Sequence, residues 1–215
     1  MNMEFIMLWL VFASINLAAT ISPGPAFVIT LRNAMAYDRK TGIFTAIGLG
    51  LGVAIHAIFA LAGIAVILAQ SVFIFNVIKY IGATYLIYIG IKALQANKHN
   101  NKAVNAQKQS NGKTNISTYK ALQIGFLTNV LNPKALVFFP AFYMQFISSE
   151  TSLTWLTAFG ITSILTEIIW FSLVTIVLTN PHIKARFMRI AHWIERICGG
   201  LLLALGVRLA LSKIH

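Results

Sequence analysis

Glu167 and His56 are titratable side chains set inside long apolar runs, in "ILTEIIWF" and "GVAIHAIF". An unpaired carboxylate at such a place costs several kcal/mol or takes up a proton, and a histidine titrates near neutrality. Both therefore suit proton coupling, with a structural hydrogen bond for Glu167 and helix bridging for His56 as the plain alternatives. Two further motifs interrupt apolar runs: Ser22-Pro23-Gly24-Pro25 and Asn132-Pro133-Lys134. Proline lacks an N–H and opposes α geometry in the residue before it, so each motif breaks a helix. A break frees carbonyls from the first half and N–H groups from the second, and the second half aims a partial positive end at whatever lies beyond it. That chemistry can hold a carboxylate. Lys134 can pair with Glu167 or with a bound carboxylate, and Trp170, three residues after Glu167, is the aromatic candidate to line a cavity.

The elements that must position these residues are membrane helices. Hydrophobic residues make up 58% of the 215-residue chain and charged ones 10%, against roughly 25% charged in soluble domains. Six runs are long enough to span a bilayer: 5–31, 42–68, 76–94, 119–146, 153–178 and 192–211. The competing count is five, with the third merged or dropped. Glu4, with no Lys or Arg before the first run, argues against a signal peptide.

The net charge is +12, but its distribution speaks against nucleic acid. Arg32, Arg39 and Lys40 follow span one; Lys98, Lys102, Lys108 and Lys113 follow span three; Lys184, Arg186 and Arg189 follow span five. Glu150 marks one of the other loops, and Lys79 stands only at a span edge. Cations on alternate loops predict those loops in the cytoplasm and both termini outside. Arg208 and Lys213 count mildly against this. The single cysteine, Cys198, makes no internal disulfide, and no Cys/His cluster suggests a metal or cofactor.

Residues 95–118 form a polar, basic linker without apolar period. It separates a first three-helix repeat (1–94) from a second (119–215). The breaks correspond; "TAIG" from Thr45 matches "TAFG" from Thr157, and "GIKAL" from Gly90 matches "GVRLAL" from Gly206. An odd number of spans per half predicts an all-α membrane protein built as two inverted three-helix repeats, helices 1 and 4 broken at their Pro motifs. Irregular backbone at mid-membrane must be buried or line a cavity, so the two breaks are expected to form a substrate site. Gly48, Gly50 and Gly52, and further Gly82, Gly90, Gly199, Gly200 and Gly206, predict close helix approaches and permit a homodimer.

"SPGPAFVITLRNAMAYDRKTGIFTAIGLGLG", "KYIGATYLIYIGIKAL" and "GFLTNVLNPKALVFF" together resemble the lysine-exporter/homoserine–threonine-resistance (LysE/RhtB) family of amino-acid exporters. The resemblance covers essentially the whole chain. It implies a bacterial inner-membrane carrier expelling amino acids from the cytoplasm, driven by the proton gradient. The family's Pro-Gly-Pro falls on Pro23, Gly24 and Pro25, and its Asn-Pro-Lys on Asn132, Pro133 and Lys134. Many relatives carry an acidic residue in span two where this chain reads Gly52-Val53-Ala54-Ile55-His56.

No His-Glu-x-x-His, Gly-x-Ser-x-Gly or paired-aspartate pattern appears, so an enzyme is not expected. A channel needs a continuous polar pore, which five of the six spans do not offer. With Glu167 as the acidic residue deep in a span, a cationic cargo lacks counter-charge. The expectation is a proton antiporter of small neutral amino acids of homoserine or threonine type. Basic amino acids or another small metabolite form the alternative.

Overall fold

The computed structural model describes residues 3–22, 24–70, 72–95, 116–148 and 151–212. Pro23, Lys98, Lys102, Lys108, Lys113, Glu150 and Lys213 lie outside the described residues, as does most of the expected linker. The described residues form eight helices and no strand: α1 (Met3–Ile21), α2 (Pro25–Ala36), α3 (Arg39–Gln70), α4 (Val72–Leu94), α5 (Thr118–Val130), α6 (Pro133–Tyr143), α7 (Leu153–Leu178) and α8 (Pro181–Leu211). Met3–Ile21, Arg39–Gly63, Asn76–Leu94 and Leu153–Leu178 are each long and apolar enough to cross a bilayer. The chain is an all-α, multi-pass membrane protein.

Caps explain where several helices begin. Asp38 Oδ1 accepts from the Thr41 N–H at 2.7 Å ahead of α3, and these Thr41 bonds hold the exposed Asp38 carboxyl below its ordinary pKa. Asn180 accepts from the His182 N–H at 3.0 Å, and Pro181 follows as the first helical residue. This cap starts α8 at Pro181, eleven residues before the expected span at 192. Lys184, Arg186 and Arg189 therefore lie on a helix, where a loop was expected.

Glycine contacts fix how the long helices run. A Cβ on Gly48 would lie 2.1 Å from Leu122 O, and one on Gly52 would lie 2.6 Å from Asn129 Cβ, so α3 and α5 are parallel and nearly backbone to backbone. Gly42 meets Thr175 and Gly50 meets Ile168, so α3 and α7 are antiparallel. Gly90 meets Leu203 and Gly82 approaches Leu209, making α4 and α8 antiparallel as well. At the far end of that pair, Lys79 Nζ donates to Ser212 O at 2.5 Å. These glycines thus serve packing within the chain. Gly200 differs from the expectation, since a Cβ there would meet nothing within 4 Å.

Aromatic rings seal α1 against α6 and α7. Phe12, fully buried, stacks on Phe142 at 4.7 Å and tilts against Phe159 at 4.6 Å. Trp9 Nε1 donates to Thr162 Oγ1 at 2.8 Å, and Phe5 stacks on Trp155 at 5.3 Å, so α1 and α7 run parallel. Tyr143 OH donates to Ser163 Oγ at 3.0 Å in the same cluster.

A Cβ on Gly125 would fall 2.1 Å from Thr45 O and 3.0 Å from Leu49 N, backbone atoms that cannot swing aside. Gly125→Ala is expected to cost roughly 1–3 kcal/mol or more. In detergent this should lower the unfolding midpoint by about 5 °C or more, whereas Gly200→Ala should leave it within about 2 °C. Equal shifts for the two variants would contradict the packing argument.

Candidate functional site

Breaking the first apolar run leaves the last carbonyls of α1 without intrahelical partners. Two side chains from distant elements meet them. Cys198 Sγ on α8 donates to Ala18 O at 2.9 Å, and Lys134 Nζ on α6 donates to Ala19 O at 3.3 Å. Lys134 therefore caps the negative end of α1, a role distinct from the expected pairing with Glu167 or a bound carboxylate. It still feels the charges of Glu167 and of the partly buried Glu195 on α8. Reading the basic run at 184–189 as a loop put Glu195 near a helix end and concealed it.

The two breaks differ at the start of their second halves. Asn132 turns its own Oδ1 onto the Lys134 N–H at 3.0 Å, so the N-terminus of α6 is capped from within. Gly24, in extended backbone at φ −161°, offers no side chain to α2. The first N–H groups of a helix have no intrahelical partner, and Pro25 has none to satisfy. The N-terminus of α2 thus lacks the side-chain cap that Asn132 gives to α6.

Both breaks line one cavity of about 50 Å³. Ser22, Gly24 and Pro25 enter from the first, Asn132 and Lys134 from the second, and Glu167 from α7. The exposed Pro133 is not in the lining, nor is His56. Trp170 also lies elsewhere, half-buried against the cluster around Phe27, Leu49 and Phe171. Phe171 lines the cavity instead, beside Phe138 and Phe139.

Asn129, which sequence reasoning passed over, connects the titratable residues. Its Nδ2 donates to Glu167 Oε1 at 2.9 Å. Its backbone carbonyl, near the end of α5, lies 3.0 Å from His56 Nε2; a carbonyl only accepts, so this nitrogen carries the proton. The His56 ring also stacks on Phe139 at 5.9 Å. On the other side of Glu167 stands the hydroxyl of Thr20, which donates to Asn16 O at 3.0 Å. The signal for Asn129 was its place three residues before Asn132, in a helix end that the break exposes.

The LysE type translocator family model matches residues 17–213. The chain belongs to this family. It is 28% identical over 209 residues to the threonine efflux protein of Escherichia coli (strain K12), covering 97% of this chain and 100% of that protein. To the leucine efflux protein of Enterobacter sp. (strain 638) it is 27% identical over 198 residues, covering 90% of this chain and 89% of the other. The uncharacterized membrane protein YrhP of Bacillus subtilis (strain 168) is 27% identical over 207 residues, covering 94% and 98%. No solved structure matches. Family and relatives point to an amino-acid efflux transporter, which agrees with a site built from helix breaks.

Proposed function

We propose that the protein exports small neutral amino acids from the bacterial cytoplasm across the inner membrane in exchange for protons. The observation that carries this reading is the cavity itself, where two helix breaks and Glu167, a carboxyl buried among the helices, meet. The open N-terminus of α2 would receive the substrate carboxylate. Neutrality follows from charge: among the described residues the lining holds one carboxyl, Glu167, and one amine, Lys134, which offset each other. The threonine and leucine efflux relatives favour the same class. Glu195, whose charge Lys134 also feels, favours the second reading, a basic amino acid. Transport demands that the site widen, since 50 Å³ suits one or two waters at about 30 Å³ each. The non-helical residues Ser22 and Gly24 at the first break and Leu131 and Asn132 at the second are the natural hinges.

The architecture we infer is six crossings in two inverted repeats, 1–94 and 119–215, joined by a cytoplasmic linker at 95–118. Support comes from antiparallel α3 and α7 and from the recurring parallel pairs, α1 with α7 and α5 with α3. Arg39 Nε donates to Thr179 Oγ1 at 3.2 Å, bringing two of the cationic turns to one side. Inverted membrane vesicles from overexpressing bacteria test the function and its orientation together. They should accumulate labelled threonine or leucine only with a proton gradient, and a tag inserted at 98–113 should react on their outer face. Accumulation that ignores the gradient, or a tag reactive only after lysis, would contradict the reading.

A further inference from the structure

Asn129 is 2% exposed and lines the cavity, yet only one arm of its amide is bonded. Nδ2 is held by Glu167, and Oδ1 is buried with no hydrogen-bond partner among the described residues. An unpartnered acceptor among membrane helices is costly, so a donor is owed to it. Resting on the exporter reading above, we propose that Asn129 Oδ1 receives the α-ammonium of the substrate, and that the amide turns over when Glu167 is protonated, releasing that ammonium.

The chemistry of the two side chains supports both halves. An ionised carboxylate only accepts, so it draws Nδ2 and leaves Oδ1 for a cation. A protonated carboxyl carries an O–H that can donate to Oδ1 once the amide has rotated. The rotated amide offers Nδ2 to the cavity, and an ammonium, itself a donor, finds no acceptor on it. Proton and substrate thereby exclude each other, as antiport requires. The charged and titratable groups around this pair are Lys134 on α6, Glu195 and Cys198 on α8 near Lys134, and His56 on α3, which bonds the Asn129 carbonyl. The Thr20 hydroxyl lies within hydrogen-bond reach of Glu167 and donates to Asn16 O, so its oxygen is the competing acceptor for a proton on Glu167.

Exchange of labelled leucine by the purified full chain in proteoliposomes, at equal pH on both sides, tests this. The competitors are unlabelled leucine and its 2-hydroxy analogue, in which a hydroxyl replaces the ammonium. The unmodified protein should prefer leucine by roughly tenfold or more, the scale of one lost charge-assisted hydrogen bond. Its apparent affinity for leucine should weaken on going from pH 8 to pH 6. Asn129→Ala, lacking the acceptor, should lose the preference. Asn129→Ser should keep much of the preference but lose the pH dependence, because a hydroxyl has two lone pairs and can accept from Glu167 and ammonium together. Wild-type preference and pH response in either variant would place the proton on the Thr20 side and overturn the proposal. So would an unmodified protein indifferent to the amine, a result that needs no variant to fold. Failure of the unmodified protein to exchange any amino acid would instead overturn the exporter reading, and the role of Asn129 with it.

Discussion

Replacing Pro23, Gly24 and Pro25 together by alanine is expected to abolish amino-acid export while leaving membrane insertion intact. Alanine restores two N–H groups and favours α geometry by about 3 kcal/mol over an interior proline. Between Ile21 and Pro25 the chain would then run on as helix, joining α1 to α2. Three consequences follow at once. The carbonyls of Ala18 and Ala19 would take intrahelical partners and release Cys198 and Lys134. The N–H groups at the start of α2 would turn inward to α1, removing the anion-binding end. Straightening the joint would also carry Ser22 and Ala26 out of the cavity lining. Apolarity is almost unchanged, so the variant should reach the membrane in normal amount. Export should fall by at least a hundredfold, the scale of losing a few kcal/mol of site interactions. Asn132→Ala with Pro133→Ala should act in the same direction through the second break. Normal efflux from cells carrying both sets of changes would show that the breaks are packing kinks, and would remove the basis of the site.

What the sequence made legible was whatever depends on backbone chemistry. Pro-Gly-Pro and Asn-Pro interrupt a helix wherever they stand, and both interruptions appear, at Ser22 and Gly24 and at Leu131 and Asn132. Side-chain roles set by rotation about a helix were not legible. Successive residues turn by about 100°, so positions three and four beyond Glu167 flank it at about −60° and +40°. Apolar neighbours on both sides gave no basis to choose, and the cavity takes Phe171 while Trp170 packs on another face. Asn129 was hidden for a different reason. Its importance arises from α5 ending against α3, where Gly52 admits the Asn129 side chain within 2.6 Å of a would-be Cβ. That contact spans 77 residues of sequence, and the local hint was only the place of Asn129 three residues before Asn132. The early start of α8 was missed because charge argued for a loop, whereas the Asn180–Pro181 cap decided for helix.

Glu167→Gln should separate exchange from accumulation. Moving one charge through ~150 mV releases about 3.5 kcal/mol, enough to hold a neutral solute at a gradient of a few hundredfold. A carrier draws on that energy only if a group in its cavity binds a proton from one side and yields it to the other. Glu167 is the carboxyl in the lining, and Asn129 ties its state to the substrate's place. Glutamine keeps the size of the side chain and its hydrogen bond with Asn129, but it releases no proton. Its amide can face Asn129 with either arm, so Asn129 Oδ1 can still turn to the cavity and bind. Labelled leucine should therefore continue to exchange with unlabelled leucine across vesicles, at a rate no longer sensitive to pH. Net accumulation under a proton gradient should fall from a few hundredfold to equilibrium, about onefold. A Glu167→Gln protein that concentrates substrate as the unmodified one does would make Glu167 structural. His56, 3.0 Å from the Asn129 carbonyl, would then inherit the coupling role, and His56→Gln in the same vesicles would have to abolish accumulation.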